Sequence, residues 1–357
     1  MNLKLFRKTI DRLDEQIVRL LNRRADVVLK IGKWKHAKAE EAYVPAREKN
    51  VLAHVHRISR GPLSQSALAA IYREIMSSSL ALEHPVRVAF LGPVSTYTHQ
   101  AARMRFGGSV DYLACETIGD IFDEVRNNQA DYGVVPIENS TDGAVTHALD
   151  QFAGTPLKIC TEVYLRISHY LMAAGPRAHI RRILSKPEVF GQCRNWLRVE
   201  MPGIELVAVS STAKAAEIAA GEKDTAAIAS KLAAEMYRLK IIAPEIQDMS
   251  GNMTRFLVIG RSYGKSTGDD KSSLMFSVKH RAGSLQRALE SFRKYGINMT
   301  KIESRPSKLK AWEYIFFVDI EGHVDDPKVS KALRDLEKYC VFMTVLGGYP
   351  RADAALE

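Results

Sequence analysis

Basic side chains on an apolar helix face are the first residues whose type and spacing predict chemistry. Arg24 and Lys35 each lie four residues beyond an apolar position of a predicted N-terminal helix, so both point toward its apolar face. They are about three helical turns apart, and Arg7 lies on the same stripe. Long basic side chains often lie along the edge of a core with the charged end in water, and then bind no ligand. Three cations on one face, with Arg47 and Glu48 opening the next helix, favour an interior anion site.

The helix that carries these cations must be long. Apolar residues recur at helical spacing from Leu3 to Ile31, with no proline before Pro45, which predicts a helix of about 35 residues. Two shorter helices follow, one after Pro45 and one from about Ser64 to Glu83. So small a segment cannot cover the whole stripe alone. We therefore predict an intertwined homodimer of three-helix units.

A second set of polar residues lies at the ends of predicted strands in the middle of the chain. The polar motifs occupy residues 92–102, 136–145, 210–216 and 252–256. Taken singly, each of the first three is explained by a helix start capped by Ser, Thr, Asn or Asp. Taken together, they predict a cleft of hydroxyl groups and helix N-termini that suits carboxylates. The alternation of strands and helices around them predicts α/β layers.

The last part of the chain follows a linker rich in glycine, serine and charge at 260–271. Beyond it the pattern predicts strand, helix, strand, strand, helix and strand, the ferredoxin-like βαββαβ order. That topology hosts many functions, RNA binding among them, and predicts none by itself. The aromatic run KAWEYIFF lacks the interspersed glycines of the usual RNA-contact pattern, which argues against an RNA-binding sheet.

Composition narrows the class of protein. With 357 residues, 46% hydrophobic and 26% charged, the chain has the length of two or three globular domains. Its net charge of +10 is spread without a dense basic run, which favours anionic small-molecule substrates over nucleic acid. The sequence has neither an apolar run of the ~20 residues that a membrane helix needs nor a signal-peptide core, so we predict a cytoplasmic protein. The four isolated cysteines predict free thiols, with neither disulfide nor metal site.

Three stretches of the first segment carry a family resemblance: LDEQIVRLLNRRADVVLKIGKWK, VPAREKNVL and REIMSSSLALE. They are similar to the all-helical chorismate mutase domain, which implies rearrangement of chorismate to prephenate without a cofactor. Such a site holds the reactive conformer and stabilises charge on the breaking ether oxygen. The resemblance implies Arg24, Arg47 and the partner subunit's Arg7 at the carboxylates, Lys35 at the ether oxygen, Glu48 at the ring hydroxyl, and Ser79 and Glu83 in the wall. Some members carry glutamine at the position of Glu83.

The motifs GPVSTYTHQAA, VPIENS, SSTAKAA and TRF occur in this order in the middle segment. They resemble prephenate dehydratase, which implies a two-lobed, periplasmic-binding-protein-like fold and conversion of prephenate to phenylpyruvate. Formation of the aromatic ring drives that reaction, so a weak acid suffices, and the resemblance makes Thr254 the proton donor. The other implied pocket residues are Thr96, with its neighbouring backbone amides, Glu138, Asn139, Ser140, Ser211, Thr212, Arg255 and Phe256. Ser95 stands where the family usually has glycine, and it is strained if that glycine needs a positive φ.

The motif ESRP and a glycine turn before Leu285 lie in the C-terminal segment. They resemble an ACT regulatory domain, which implies that phenylalanine binds between paired domains and inhibits. The implied effector residues are Gly283, Ser284, Leu285, Glu303, Ser304, Arg305 and Pro306. Ser284 stands where alanine is usual.

The sequence thus predicts a multidomain chain with a chorismate mutase domain at 1–84, a prephenate dehydratase domain at 86–262 and an ACT domain at 272–350. Chorismate and prephenate would be its substrates and phenylalanine its effector, without a cofactor or metal. We predict a homodimer or higher homo-oligomer and no nucleic-acid or membrane partner. The alternative is a non-catalytic phenylalanine-responsive sensor on the same folds. An intact TRF motif and three cations on one helix face argue against it, because a sensor needs neither.

Overall fold

The computed structural model describes residues 3–38, 43–307 and 313–352. The chain divides into two compact units. The N-terminal unit contains the chain up to Arg87 together with Arg105–Asp111. The C-terminal unit contains Val88–Met104 and the chain from Tyr112 onward.

The N-terminal unit consists of helices α1 (Leu3–Ala37), α2 (Pro45–Ile58) and α3 (Gln65–Glu83). The predicted long helix is confirmed, since α1 has 35 residues. A proline at the start suits α2 because the first helical position needs no N–H donor. The side chain of Ser64 caps α3 by accepting the backbone N–H of Ala67 at 3.1 Å.

Helix α1 presents much apolar surface to solvent. It packs on α3, and Val28 is its one buried side chain. Thirteen large apolar side chains of α1 are between 38% and 63% exposed: Leu3, Leu5, Phe6, Ile10, Leu13, Ile17, Val18, Leu20, Leu21, Val27, Leu29, Ile31 and Trp34. Within the described part of one chain, most of the stripe read from the sequence is therefore uncovered.

The middle of the chain alternates strands and helices. In chain order the elements are β1 (Arg87–Leu91), α4 (Tyr97–Phe106), β2 (Asp111–Cys115), α5 (Ile118–Arg126), β3 (Tyr132–Asn139), β4 (Gly143–Ala144), α6 (Thr146–Phe152), β5 (Lys158–Arg166), β6 (Tyr170–Ala173), β7 (Arg182–Ser185), α7 (Pro187–Gln192), α8 (Arg194–Glu200), β8 (Glu205–Ala208), α9 (Thr212–Gly221), β9 (Thr225–Ala229), α10 (Lys231–Met236), β10 (Lys240–Ala243) and β11 (Met253–Gly260).

These strands form two sheets. The first has the order β2-β1-β3-β11-β5, with β4 paired to β3, and the second has the order β10-β6-β9-β7-β8. The chain passes from the first sheet to the second after β5 and returns at β11, which inserts between β3 and β5. The start of β11, with the motif NMTRF, therefore lies where the chain re-enters the first sheet.

The C-terminal segment forms a third sheet with two helices. Its elements are β12 (Asp270–Val278), α11 (Ser284–Lys294), β13 (Met299–Pro306), β14 (Tyr314–Glu321), α12 (Pro327–Glu337) and β15 (Cys340–Pro350). The sheet order is β13-β14-β12-β15, with all neighbours antiparallel. One face packs on its own helices, with Leu274 and Val318 in that core. The other face packs on the first sheet, where Phe317 and Tyr349 share a core with Leu257.

The cysteine thiols, the apolarity of the helices and the placement of metal-ligating side chains bear on the predictions made from composition. The thiols of Cys115, Cys160, Cys193 and Cys340 are free, as predicted, although that of Cys340 is only half-buried. Among the described residues, no helix combines the length and apolarity that crossing a membrane requires. In the same residues no group of three or more metal-ligating side chains comes together.

Candidate active sites

In the N-terminal unit, α1 and α3 bring two predicted cations next to two predicted polar partners. Arg24 donates to the hydroxyl of Ser79, and Lys35 Nζ lies 2.9 Å from Glu83 Oε2. The hydroxyl of Ser79 in turn donates to the carbonyl of Ile75 at 2.7 Å. Arg24 and Lys35 therefore share one face of α1, as their spacing predicted. All four polar side chains are half-buried, so the cluster is open to a small anion.

The other predicted residues of this unit are placed differently. Glu48 lies 2.9 Å from Arg105, a residue that the sequence did not mark as functional. Arg105 also donates to the hydroxyl of Tyr43. Burial raises the pKa of the Glu48 carboxyl, and the Arg105 guanidinium opposes that rise. Arg7 and Arg47 are exposed in the single chain.

In the C-terminal unit, Thr254 and Asn139 are paired across β11 and β3. The Asn139 side-chain amide nitrogen donates to Thr254 Oγ1 and to Asn252 Oδ1, both at 2.8 Å. The Asn139 oxygen accepts the backbone N–H groups of Thr141 and Asp142, at 2.8 and 3.0 Å. This oxygen has two donors, so the amide cannot be flipped.

That orientation decides what the Thr254 hydroxyl can do. An amide NH₂ group only donates, so Thr254 Oγ1 must accept from Asn139. Within the described residues, the hydroxyl hydrogen of Thr254 has no protein acceptor. The side chain is nearly buried, with 9% of its surface exposed. The arrangement presents an oriented O–H donor at the start of β11.

The loop before α4 takes up the strained conformation anticipated at Ser95. Its φ is 69°, in the left-handed region, where a side chain costs about 1–2 kcal/mol. Its backbone N–H donates to His99 Nδ1 at 3.0 Å, and its buried hydroxyl has no partner among the described residues. Thr96 donates its hydroxyl to the carbonyl of Leu91 at 2.8 Å. The Ser95 hydroxyl is thus a polar group without a protein partner at the N-terminus of α4.

Several predicted pocket residues serve local structure. Ser211 caps α9 by accepting the N–H of Lys214 at 3.0 Å, which is the plainer of the two readings of that motif. Thr212 is buried in the first turn of α9. The hydroxyl of Ser140 accepts the N–H of Met253 at 2.9 Å and holds the start of β11 against the end of β3.

One residue that the sequence analysis grouped with Thr254 lies elsewhere. Side chains alternate along a strand, and Arg255 projects from β11 on the face opposite Thr254. It contacts Glu162 and Asp319 there. Phe256, two residues after Thr254 on β11, lies on the same face as Thr254 and is buried. The placement of Arg255 in one wall with Thr254 is therefore corrected, whereas that of Phe256 stays a prediction.

Glu138 is likewise displaced from the predicted pocket. It is the register partner of Arg255, so it shares the far face of the sheet. Its carboxylate lies 2.7 Å from Lys301 Nζ on β13. The expectation that Glu138 lines the pocket beside Asn139 is corrected for the same reason, the alternation of side chains along β3.

Comparisons with known proteins identify the three segments. Residues 6–84 match the family model of chorismate mutase type II, residues 88–263 that of prephenate dehydratase, and residues 272–338 that of the ACT domain. The chain is 47% identical over 355 residues to a bifunctional chorismate mutase/prephenate dehydratase of Aquifex aeolicus, with 98% of each chain covered. It is 44% identical to one of Stutzerimonas stutzeri over 98% of each chain.

The chain belongs to the family of bifunctional chorismate mutase/prephenate dehydratases. A solved prephenate dehydratase of Arthrobacter aurescens, in complex with L-Phe, has a TM-score of 0.70 and 33% identity. It covers 75% of this chain, and this chain covers 91% of it. The predicted order of a helical mutase domain, an α/β dehydratase domain and an ACT domain is confirmed. The first two are enzyme domains, so the prediction that the protein is an enzyme is confirmed as well.

In the ACT domain, the predicted glycine turn precedes α11. Gly283 has a φ of 78° at the N-cap, a conformation that glycine adopts without strain. Ser284 and Leu285 line a pocket of about 130 Å³ together with Arg281 and Tyr314. The predicted ESRP residues, Glu303, Ser304, Arg305 and Pro306, end β13 and do not line that pocket.

Proposed function

We propose that the chain converts chorismate to prephenate in its N-terminal unit and prephenate to phenylpyruvate in its dehydratase domain. Membership of the bifunctional family supports both steps. The single observation that carries the second step is the Thr254 hydroxyl, which is oriented by Asn139 and free to donate. No cofactor is part of this proposal, and a location in the cytoplasm stays a prediction.

In the proposed mutase step, chorismate binds over the half-buried face of α1. Arg24, beside Ser79, faces a carboxylate, and Arg47 and Glu48 complete the site from α2. Lys35 binds the breaking ether oxygen and stabilises the charge that develops there. Because Lys35 is paired with Glu83 in the free protein, the substrate must share or displace that contact. Holding the reactive conformer supplies the remainder of the rate enhancement.

The proposed mutase site requires a second copy of the chain. The uncovered apolar side chains of α1 support a homodimer in which the long helices pack together, because so large an apolar face is unstable in water. Arg7 lies on this face and is exposed in one chain, so it is available to the partner's site. We propose the intertwined three-helix dimer of the mutase domain on this basis.

In the proposed dehydratase step, prephenate binds at the start of β11 between two lobes of a periplasmic-binding-protein-like domain. Thr254 gives its hydroxyl proton to the leaving hydroxyl of prephenate, which departs as water. The bond from the ring to its carboxylate breaks, releasing carbon dioxide, and its electrons complete the aromatic ring. A proton from solvent then restores the Thr254 hydroxyl. Aromatisation drives the step, so a weak acid in the right place suffices. Helix α4 supports a carboxylate site, because its N-terminal amides and the unpartnered Ser95 hydroxyl are donors. Asn139, Ser140, Ser211 and Thr212 shape the remaining wall.

We further propose that phenylalanine binds between ACT domains of ferredoxin-like fold and inhibits the dehydratase. The A. aurescens structure is described as a complex with L-Phe, which supports this ligand class. The Gly283 turn and the pocket at Ser284 and Leu285 form one wall, and Glu303–Pro306 supply a second wall across the pair.

One experiment tests the proposal as a whole. The purified chain is incubated with chorismate, and prephenate and phenylpyruvate are followed in time, with and without phenylalanine. We expect prephenate first, phenylpyruvate second, and less phenylpyruvate when phenylalanine is present. A chain that binds phenylalanine but converts neither chorismate nor added prephenate is the non-catalytic sensor instead.

A further inference from the structure

The face of β11 opposite Thr254 carries a buried charge. The guanidinium of Arg255 donates from Nε to Glu162 at 2.8 Å, from Nη1 to Asp319, and from Nη2 to the hydroxyl of Tyr349 at 3.0 Å. Only 6% of the Arg255 side chain is exposed, and none of Glu162. All three donor nitrogens of Arg255 are therefore bound to protein, and none faces the proposed substrate.

The ion pairs at this place join two domains. Lys271 Nζ lies 2.9 Å from Glu162 Oε1, and Ser273 donates its hydroxyl to Asp319. We call Arg255, Glu162, Lys271 and Asp319 the interdomain charge cluster. Arg255 and Glu162 come from the dehydratase sheet, whereas Lys271 and Asp319 come from the ACT sheet. Each domain thus contributes one cation and one carboxylate, and the Arg255–Asp319 and Lys271–Glu162 contacts form only when the two sheets are in register.

A second ion pair repeats the pattern beside the first. Thr254 is the register partner of Asn139, and Arg255 that of Glu138. Glu138 is bound to Lys301, which is the register partner of Asp319 on the ACT sheet. Arg255 follows Thr254 in sequence, and Glu138 precedes Asn139. Each residue of the Thr254–Asn139 pair is therefore next to a residue that is ion-paired to the ACT sheet.

The strand that carries Lys301 also carries the proposed effector residues. Strand β13 runs from Met299 to Pro306, so Lys301 lies two residues before Glu303. Arg305, on the same face as Lys301, lies 3.6 Å from Asp150 on α6 of the dehydratase domain. A displacement of β13 on effector binding would act directly on Glu138 and Asp150.

Burial makes the ion pairs of the interdomain charge cluster costly to separate. Burial favours the neutral form of Arg255, but Asp319, Tyr349 and Glu162 outweigh it and hold the pKa of Arg255 well above its ordinary value. Arg255 therefore stays charged. Separating a buried charge from its partner is strongly unfavourable because the charge is left without compensation. A shift of the ACT sheet would take Asp319 from Arg255 and Lys271 from Glu162, so the position of this sheet is coupled to that of the start of β11.

We propose that Arg255 is a positioning residue for Thr254, through which the ACT sheet sets the place of the catalytic hydroxyl. The proposal rests on the proposed dehydratase function and its inhibition by phenylalanine. It assigns Arg255 to the coupling of the two domains and removes it from the contacts with prephenate. Phenylalanine would then inhibit by shifting the ACT sheet and drawing Thr254 away from the leaving hydroxyl.

The test uses Asp319→Asn in the full chain, which removes a carboxylate of the ACT sheet and leaves Arg255 in place. Glu321→Gln is the matched control: it lies on the same strand, and its partner is Arg351 at the surface, 3.3 Å away. For each protein, kcat and KM for prephenate are measured with and without saturating phenylalanine. Mutase turnover of chorismate reports on the integrity of the remainder of the chain.

For Asp319→Asn we expect kcat to fall about tenfold with KM within about twofold, because the hydroxyl is displaced while the substrate anchors are kept. The factor by which phenylalanine lowers kcat/KM should shrink at least about fivefold. Glu321→Gln should match the wild type in both. An Asp319→Asn protein with wild-type mutase turnover, wild-type kcat and full inhibition would overturn the proposal.

Two further variants keep the test decisive. Tyr349→Phe deletes one hydrogen bond of Arg255, and should shift kcat and inhibition in the same direction by about twofold to fivefold even if Asp319→Asn does not fold. Arg255→Lys keeps the charge but replaces the planar fork of the guanidinium with a single ammonium, which cannot reproduce the separate contacts of Nε, Nη1 and Nη2. If it raises KM tenfold or more while Tyr349→Phe is unchanged, Arg255 contacts prephenate and the proposal is wrong. Failure of the wild type to convert prephenate would instead overturn the proposed function, and this inference with it.

Discussion

The N-terminal unit and the dehydratase–ACT region place their ion pairs in opposite surroundings. The Lys35–Glu83 pair retains 19% and 12% of its side-chain surface, beside an apolar helix face that nothing covers in one chain. The Arg255–Asp319 pair, which joins the dehydratase and ACT sheets, retains 6% and 9%, inside a core to which two domains contribute. Charges that receive a substrate must stay reachable, whereas charges that hold two sheets in register are most effective when water is excluded.

The two regions also differ in whether one chain provides the whole site. The Thr254 site is built from β3 and β11 of a single chain. The α1 site lacks a cover over most of its apolar face. We therefore expect the two activities to respond to different changes.

The largest expected effect is loss of one activity with the other intact. Thr254→Ala should lower dehydratase turnover on the order of a hundredfold, the range for a positioned proton donor. Arg24→Ala should lower mutase turnover by a similar factor, on the order of a hundredfold, since it removes a charged donor. Each is measured with chorismate and with added prephenate.

The control for the dehydratase change is Thr254→Ser, which keeps the hydroxyl and should retain most activity. Loss of both activities in a folded single variant would contradict two separate sites. A Thr254→Ala protein within a fewfold of the wild type would show that another group donates the proton.

The next effect tests whether the apolar face of α1 is an interface. Leu20 is 60% exposed in one chain, and Leu20→Glu should weaken association and lower mutase turnover at least about tenfold, because a charge would be buried on pairing. Added prephenate should still be dehydrated. Light scattering during gel filtration measures the association.

Asn22→Glu introduces the same charge on the polar face of α1 and serves as the control. It should leave both association and mutase turnover unchanged. If Leu20→Glu remains associated through this unit with full mutase turnover, the apolar face of α1 is not the mutase interface.

A smaller effect concerns Glu83, whose carboxylate is paired with Lys35 at 2.9 Å. A carboxylate only accepts hydrogen bonds, whereas a glutamine amide can also donate one to the ether oxygen. Mutase turnover, measured with chorismate, should therefore be kept or raised by a few times in Glu83→Gln. Dehydratase turnover should not change. A clear loss of mutase turnover in Glu83→Gln would mean that Glu83 serves as the charged partner of Lys35.

The smallest effect is on stability at acid pH. Burial and the nearby Arg103 lower the pKa of His99 to about 4, from an ordinary value of 6.5. Between pH 6.5 and about pH 4, the unfolded chain binds a proton at His99 that the folded chain does not bind. The contribution of neutral His99 to the free energy of unfolding is therefore complete above pH 6.5 and is lost as the pH falls toward 4. Between pH 7 and pH 5 the loss should be on the order of 1 kcal/mol, allowing for partial solvation.

His99→Gln should reduce that loss, as measured from urea unfolding at the two pH values. His147→Gln, at an exposed histidine, is the control and should unfold like the wild type. Equal losses in the wild type and His99→Gln would show that the acid sensitivity arises elsewhere.

The sequence by itself determined what depends on local periodicity and local backbone geometry. The length of α1, the common face of Arg24 and Lys35 and the order of elements in the last domain all follow from neighbours a few residues apart. These interactions are set by helical and strand repeats, which can be read without knowing the fold. The motifs likewise sufficed to predict the family.

Only the tertiary structure decided which groups meet. Alternation predicts that Thr254 and Arg255 face opposite ways, but not which face meets the substrate and which meets another domain. Arg255 and Asp319 are 64 residues apart in sequence, and their contact depends on the packing of two sheets. The Glu48–Arg105 pair arises in the same way. No local pattern marks such partners, because the free energy that selects them comes from burying both charges together.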